Sequence, residues 1–334
     1  MKEEKTKNLI FRRPWGRGFR YTYINDQDEV SMQLKEWIKS LAIPPAWTEV
    51  FIDPDQKAKV HAWGRDNKNK KQYIYSQSWR RQREEAKFDR IIEFAGKLPR
   101  LRKATANHLN SKNLNRKKVL ACMVRLMDKA FFRPGNPRYS DENNTYGLTT
   151  IRAKHLDIKD DVIKFRYTGK SGKKQDRVVK SKKLAKVVKE TDKLQGYEVF
   201  EYIDENGDIQ KATPEELNEY IRGIIGDEFS SKDFRTWAGT VLMAKVLSEL
   251  EESNQTIVKQ KNILKATEQV ARALGNTKSI AKSSYIDPRI TKHYENGLTI
   301  KPLIQEVTAQ LKDKTLFSAE EKAVVKLLKE KIKF

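Results

Sequence analysis

From Arg133 onward the chain carries residues suited to a phosphoryl transfer that uses no metal ion. Such a reaction needs a nucleophile, fixed cations on the nonbridging phosphate oxygens, and an acid for the leaving oxygen. Arg133 follows an apolar helical segment, and Lys170 lies in a Gly-rich hairpin. Lys232 and Arg235 are three residues apart on a predicted helix, and Tyr285 is a candidate nucleophile. Each residue alone is more typical of an exposed charge or a packed ring, so only the ordered set is informative.

Several other chemistries are excluded by residue type and spacing. Gly169–Ser171 resembles the end of a phosphate-binding loop, but the position of the required earlier glycine holds Lys164. The acidic run Asp204–Asp208 lacks the later ligands of a calcium loop and predicts a hairpin turn. The single cysteine and the four histidines are not at metal-ligand spacing, so we expect no metal and no cofactor. These residues are Cys122, His61, His108, His155 and His293.

The charge of the chain indicates a polyanionic partner. The 334 residues include 68 Lys+Arg against 45 Asp+Glu, a formal net charge of +23. The excess is present both in residues 1–84 and in residues 85–334, and it is densest between Lys97 and Lys118. Nucleic acid is the simplest partner for such a surface, although solubility alone would also explain it. No apolar run is long enough for a membrane span and no signal peptide is recognisable, so we expect no membrane partner.

The elements that would position these residues predict an α+β fold. Residues 1–84 are predicted as a small β-rich N-terminal domain, and residues 85–334 as a larger, mainly helical domain with a small three-stranded antiparallel sheet. The predicted strands are Phe19–Tyr23, Thr48–Ile52, Lys59–Trp63, Gln72–Tyr75, Ala153–Ile158, Val162–Tyr167 and Gln175–Val179. The predicted helices include Ser31–Leu41, Ala86–Leu98, Lys117–Phe132 and the segments capped by Thr213, Ser230 and Ser318.

Seven segments in one order resemble the poxvirus-type and bacterial type IB DNA topoisomerases, whose catalytic fold is shared with the tyrosine recombinases. In the larger part they are FFRPGNPRY, NNTYGLTTIRAKHL, TGKSGKK, KDFRTW and LGNTKSIAKSSY. In the first part they are LAIPPAWTEVFI and GRDNKNKKQYIYSQSWR. The resemblance covers nearly the whole chain. It implies relaxation of positive and negative supercoils without ATP or metal, through a nick in one strand of double-stranded DNA.

The resemblance also implies a role for each matching residue. Tyr285 would attack the scissile phosphate, giving a 3′-phosphotyrosyl link and a free 5′-hydroxyl. Arg133 and Arg235 would hold the two nonbridging oxygens, which suits planar, permanently charged guanidiniums. Lys170 would protonate the leaving 5′ oxygen, and Lys232 would support the site from the helix that carries Arg235.

One position departs from the poxvirus pattern. Poxvirus members have histidine nine residues before the tyrosine, and this chain has Asn276, as many bacterial members do. An amide donates a hydrogen bond but does not titrate, so we interpret Asn276 as an oxyanion donor and not as a general acid.

The resemblance further implies that the two domains close on duplex DNA as a clamp. Candidate DNA-binding residues in and after the QYIY strand are Gln72, Tyr73, Tyr75, Arg80 and Arg81, and those of the basic cluster are Lys97, Arg100, Arg102 and Lys103. Tyr73 and Tyr75 share one strand face, which could instead pack into the core of the small domain. The C-terminal helix, predicted from Ser318 to Phe334, could pack on the catalytic domain or contact DNA.

Two other classes of protein remain as alternatives. A tyrosine recombinase shares the catalytic fold, but usually has histidine where this chain has Lys232, and it lacks the IPPAW and QYIY segments. A non-catalytic DNA-binding protein would explain the charge and not the seven segments. We expect a monomer, located in the nucleoid-containing cytoplasm if bacterial, or in a virion or host-cell compartment if viral.

Overall fold

The computed structural model describes residues 8–25, 27–194, 196–251, 253–309 and 316–330. The chain forms two compact units, one up to Phe88 and one from Asp89 onward. A β-rich first part, a mainly helical remainder and a three-stranded antiparallel sheet confirm the predicted α+β class.

The first unit is a five-stranded antiparallel sheet with one helix. The sheet order is β2-β1-β3-β4-β5, formed by β1 (Ile10–Trp15), β2 (Gly18–Tyr23), β3 (Thr48–Ile52), β4 (Val60–Arg65) and β5 (Lys71–Tyr75). Helix α1 (Met32–Ser40) begins at Ser31, whose side chain accepts a hydrogen bond from the Leu34 amide, as its spacing predicts. The small core of this unit is formed by Ile10, Val30, Ile38, Val50, Ile52 and Ala62.

Strand β1 is absent from the sequence-based assignment because Arg12, Arg13 and Pro14 interrupt the apolar alternation. Its position in the sheet explains why Pro14 is tolerated. Strand β3 pairs with β1 only from Ile10 to Arg12, so Pro14 lies beyond the last paired residue on that side and removes no bond to β3.

The second unit is built from helices around a three-stranded sheet. Its helices are α3 (Arg116–Ala130), α4 (Pro137–Asn143), α5 (Lys182–Asp192), α6 (Pro214–Ile225), α7 (Ser231–Glu249), α8 (Thr256–Leu274), α9 (Lys278–Ser284), α10 (Pro288–Glu295), α11 (Lys301–Thr308) and α12 (Ala319–Lys329). The sheet has the order β6-β7-β8, from β6 (Leu156–Lys159), β7 (Val162–Thr168) and β8 (Lys174–Lys180). A separate hairpin joins β9 (Glu201–Ile203) to β10 (Ile209–Lys211) around the acidic turn predicted from the sequence.

The helix predicted at Ala86–Leu98 is longer than expected. Helix α2 spans Gln77–His108, crosses the boundary between the units along the chain, and contains Pro99. Proline inside a helix costs about 3 kcal/mol. Leu98 and Leu101 on either side of it are fully buried, and each stabilises the continued helix by about 1.5–3 kcal/mol. The free energy gained by burying these two side chains therefore outweighs the tendency of Pro99 to end the helix.

The strand predicted at Ala153–Ile158 is wrong in its first half. Ala153–His155 form a 3-10 turn, and β6 begins only at Leu156. The buried His155 accepts a hydrogen bond through Nδ1 from the Arg152 amide at 3.1 Å, which closes the turn. A side chain that bonds to local backbone competes with a strand ladder.

The C-terminal helix packs on the second unit. Ala323, Val324, Leu327 and Leu328 of α12 are buried in its main core, which confirms the first of the two roles left open by the sequence. The predicted extension of this helix to Phe334 includes residues 331–334, which lie outside the described residues.

Arg102 joins α12 to the rest of the second unit. Its guanidinium donates to Asp128 Oδ1 at 2.7 Å and to Glu321 Oε2 at 2.7 Å, and the Arg102 side chain is only 12% exposed. Glu321 also accepts from the indole nitrogen of Trp237 in α7 at 3.0 Å. This ion-pair cluster connects α2, α3, α7 and α12.

We expect Arg102→Ala to destabilise the protein by about 3–5 kcal/mol, because it leaves the buried Glu321 without its cation and Asp128 with only Arg125, at 3.3 Å. Chemical denaturation measured by circular dichroism checks this value. Arg116→Ala is the matched control, since its ion pair with Glu216 is more exposed and should contribute about 1 kcal/mol or less. Equal losses for the two variants would contradict a stabilising role for the buried cluster.

Candidate active site

Arg133 is held by a sharp turn after α3. Phe131 ends the helix in the left-handed conformation with φ 60°, and the ring of Phe132 is fully buried against Phe165 at 4.9 Å between centroids. The Arg133 carbonyl then accepts from the Leu148 amide at 2.8 Å. These contacts fix the backbone of Arg133 and leave its side chain half-buried at the site.

Two glycines allow this turn to meet the segment at residues 147–150. A Cβ on Gly147 would lie 2.5 Å from the Cα of Gly135, and Gly135 has φ +113°. Any side chain at Gly147 would push Arg133 away, because the Arg133 carbonyl oxygen is also within 2.9 Å of that position.

Helix α7 presents Arg235. The predicted capping box at its start is confirmed, with the Ser230 amide donating to Asp233 Oδ2 at 2.8 Å. Arg235 is 3% exposed and donates to the carbonyls of Phe131 and of Leu274, the latter at 2.8 Å. Burial and the nearby charge of Arg133 lower the pKa of Arg235 to about 10, so it remains a cation at neutral pH.

Asn276 lies between the two guanidiniums. Helix α8 ends at Leu274, and Gly275 in the left-handed conformation turns the chain so that Asn276 enters the site. Asn276 Oδ1 accepts from Arg133 Nη2 and from Arg235 Nη2, the latter at 3.2 Å. Because guanidiniums only donate, these bonds fix the orientation of the amide. Its Nδ2 is buried and has no hydrogen-bond partner in the described part of the chain.

Tyr285 caps the short helix α9 and is half-buried. The guanidinium carbon of Arg235 lies 4.9 Å from the centre of the Tyr285 ring. Burial alone would raise the pKa of Tyr285, but the positive charges of Arg235 and Arg133 outweigh it and bring the pKa below its usual value. The phenol is therefore easier to ionise here than in water.

Helix α7 also fixes the backbone of Tyr285. A Cβ on Gly239 would lie 2.4 Å from the Tyr285 carbonyl oxygen, and Thr240 Oγ1 donates to that oxygen at 3.4 Å. Sequence reasoning did not single out Gly239. A lone glycine inside a strong helical pattern is a signal of close packing that could have identified it.

The structure thus brings together Arg133, Arg235, Asn276 and Tyr285. Lys170 is exposed in a single 3-10 turn at the tip of the β7–β8 hairpin, and no hydrogen bond joins it to these residues in the described structure. Lys232 is exposed, whereas Arg235 three residues later is buried. The spacing of three residues therefore does not place Lys232 beside the other site residues.

In the first unit, Tyr73 is exposed and Tyr75 is half-buried. Their rings stack at 5.8 Å between centroids, and Tyr75 stacks on Trp79 at 4.4 Å. Ile74 is the strand residue that packs on the small core, so the alternative that the tyrosine face packs there is wrong. Gln72 lies on the opposite face from the tyrosines, and its amide donates to Asp66 Oδ2 at 2.8 Å.

The basic residues of α2 divide into two groups. Arg80, Arg81, Lys97, Arg100 and Lys103 are exposed. Lys97, Arg100 and Lys103 recur every three residues along the helix and form one exposed row, which suits phosphate contacts. Arg102 points away from this row into its carboxylate cluster, so its guanidinium is occupied within the protein and the structure does not support it as a DNA contact.

Metal-ligating clusters and membrane-spanning helices are both absent from the described residues. No cluster of three or more His, Cys, Asp or Glu side chains there is arranged to hold a metal ion. None of the described helices combines the length and the apolar character needed to cross a membrane.

The fold and this arrangement of residues define a protein with a type IB topoisomerase catalytic core. Residues 76–314 match the family described as eukaryotic DNA topoisomerase I, catalytic core, and residues 18–66 match the bacterial DNA topoisomerase IB N-terminal domain. The chain belongs to the type IB DNA topoisomerases, a family of isomerases that act on DNA.

Individual relatives agree with this assignment. DNA topoisomerase 1B of Acanthamoeba polyphaga mimivirus is 33% identical over 296 residues, covering 86% of this chain and 88% of that protein. DNA topoisomerase 1B of Vaccinia virus (strain Copenhagen) is 26% identical over 259 residues, covering 75% and 79%. DNA topoisomerase 1 of Mycosarcoma maydis is 24% identical over 234 residues, covering 63% of this chain and 23% of that larger protein.

Proposed function

We propose that the chain relaxes positive and negative supercoils by breaking and rejoining one strand of duplex DNA through Tyr285. The observation that carries this proposal is the position of Tyr285 beside two guanidiniums. Among the described residues, neither Arg133 nor Arg235 forms an ion pair with a carboxylate, and the neutral Asn276 lies between them. Such a positively charged cluster with a phenol beside it suits a phosphodiester.

Tyr285 Oη attacks the scissile phosphorus as the P–O5′ bond breaks. The phenolic proton passes to water, and the 3′ end of the strand becomes bonded to the tyrosine. The lowered pKa of Tyr285 favours this step, because the positive charges that stabilise the phenolate also attract the phosphate. Religation reverses it, with the 5′-hydroxyl attacking the phosphotyrosine.

Arg133, Arg235 and Asn276 stabilise the nonbridging oxygens in the transition state. Arg235 keeps its Nε free of partners within the described structure, and Asn276 keeps its Nδ2 free, so both have a donor left for an oxygen. Since their other atoms are held by the protein, these donors need little reorganisation when charge develops on the phosphate.

Lys170 donates a proton to the leaving 5′ oxygen, and Lys232 supports the site from α7. Both ammonium groups are exposed, which suits groups that meet the DNA backbone only when the duplex is bound. Each step exchanges one phosphodiester bond for another, so no ATP is consumed. The strain of the supercoil sets the direction in which the DNA rotates.

Both units hold the duplex, with Tyr73 and Tyr75 and the row of Lys97, Arg100 and Lys103 as contacts. Arg80 and Arg81 add phosphate contacts. Gln72 faces away from the two tyrosines but lies on the edge strand β5, so it reaches a base past that edge once its amide leaves Asp66. A single chain supplies the whole set, so the protein works as a monomer. It works where duplex DNA is held, in a bacterial nucleoid or in a viral or host-cell compartment.

A plasmid relaxation assay in EDTA and without ATP tests the proposal. We expect a ladder of topoisomers from plasmids of either supercoil sign, at a rate that falls steeply with salt because backbone contacts release counterions. The same preparation carrying Tyr285→Phe controls for contaminating activity. Relaxation that appears only after adding a divalent cation or ATP would contradict the proposal, as would joining of separate plasmids, which a recombinase would produce.

A further inference from the structure

We infer that Gln175 and Arg177 of β8 are positioning residues, which hold the Lys170 hairpin against the turn that carries Asn276. The inference rests on the proposed function, because it concerns how Lys170 reaches the leaving oxygen. Lys170 is exposed at the hairpin tip, so its position must be set at the base of the hairpin.

Arg177 connects the sheet to the end of α8. It is 9% exposed, and its guanidinium donates to the carbonyl of Ala273 and, at 2.7 Å, to Gln175 Oε1. Ala273 is three residues before Asn276. The Arg177 terminal nitrogens are therefore used within the protein, as those of Arg235 are. Arg177 differs because its bonds join β8 to the end of α8 and do not reach Asn276, so we interpret it as a positioning residue.

Gln175 fills the space between the Lys170 hairpin and the turn at Asn276. A Cβ on Gly169, next to Lys170, would lie 2.9 Å from Gln175 Cγ, and a Cβ on Gly275, next to Asn276, would lie 2.2 Å from Gln175 Oε1. The hairpin itself is closed by the Gly169 amide, which donates to the Lys173 carbonyl at 2.8 Å. The 5% exposed Gln175 side chain thus packs against both glycines.

The turn at Asn276 is also held by hydrogen bonds from Arg133 and Arg235, and these bonds do not involve the hairpin. Arg235 binds the Leu274 carbonyl at 2.8 Å, and Arg133 and Arg235 both bind Asn276 itself. Loss of Gln175 or Arg177 should therefore leave Asn276 in place and release the hairpin. A displacement of about 1 Å in a catalytic group can cost on the order of 100-fold in rate.

The test compares single-turnover cleavage of two DNA duplexes. One has an ordinary scissile phosphate, and the other has sulfur in place of the bridging 5′ oxygen. A thiol ionises near pH 8.5, far below an alcohol, so the thiolate leaves without a proton donor. Lys170→Ala should be slow on the first duplex and restored on the second, and Arg235→Ala should be slow on both.

We expect Arg177→Ala, Arg177→Lys and Gln175→Ala to cleave ordinary DNA about 10–100-fold more slowly, and to cleave the sulfur duplex within about threefold of the unmodified protein. Val178→Ala is the matched control, because Val178 lies on the outer face of the same strand and is 58% exposed. It should leave both rates unchanged. The Arg177→Lys and Gln175→Ala variants keep the test informative if Arg177→Ala does not fold.

Equal slowing of the positioning variants on both duplexes would overturn the inference, as would normal cleavage of ordinary DNA by all of them. If the unmodified protein forms no adduct with either duplex, the proposed function itself fails. The two failures are therefore distinguishable.

Discussion

Tyr285→Phe should abolish the covalent DNA adduct while duplex binding and folding are retained. Phenylalanine keeps the ring that lies 4.9 Å from the Arg235 guanidinium carbon, and it removes only the oxygen that attacks phosphorus. Loss of a nucleophile typically lowers the rate by about 10⁴-fold or more. Detergent trapping followed by denaturing electrophoresis measures the adduct, and gel-shift titration measures binding.

The local structure explains why this variant should fold. The backbone of Tyr285 is held by contact with Gly239 and by Thr240, not by its hydroxyl group. Tyr197→Phe is a suitable control, since Tyr197 is 57% exposed in the same unit and should retain full adduct formation. An adduct of normal yield with Tyr285→Phe would identify another nucleophile.

Local signals predicted much of the fold because they act within a few residues. The Ser31 cap, the capping box at Ser230 and the strand at Thr48–Ile52 all agree with the structure. Such signals do not predict an element whose length depends on packing against residues distant in sequence. Helix α2 continues through Pro99 because Leu98 and Leu101 are buried, and no neighbour in sequence reports that burial.

Residue type and spacing indicate a candidate set of site residues, and the resemblance to a family implies their roles, but neither predicts which residues surround them. Arg102 belongs to a dense basic run, yet its carboxylate partners Asp128 and Glu321 are far away in sequence. Arg177 follows the period-2 pattern that buries Val179, so a buried arginine could have been suspected there. Its acceptor on Ala273 depends on how α8 meets the sheet, which only the folded chain reveals.

The charged donor Arg235 should contribute far more to the cleavage rate than the neutral donor Asn276. We expect Arg235→Ala to slow cleavage by at least about 10²–10³-fold, the usual cost of one preorganised donor to a developing oxyanion. Asn276→Ala should cost far less, on the order of 10-fold, because it removes one neutral hydrogen bond of about 1.4 kcal/mol. Single-turnover cleavage at saturating protein measures both rates, and thermal melting checks that each variant is folded.

Two further variants separate charge from geometry. Arg235→Lys keeps the charge and loses the fork that reaches the carbonyls of Phe131 and Leu274, so it should remain strongly impaired. Asn276→Asp replaces the donor by an anion between Arg133 and Arg235. It should be slower than Asn276→Ala, since the carboxylate competes with the phosphate for the same two cations.

Equal losses for Arg235→Ala and Asn276→Ala would show that Asn276 does more than donate one bond. Because its Oδ1 accepts from both guanidiniums, the additional role would be to hold them in place for the phosphate.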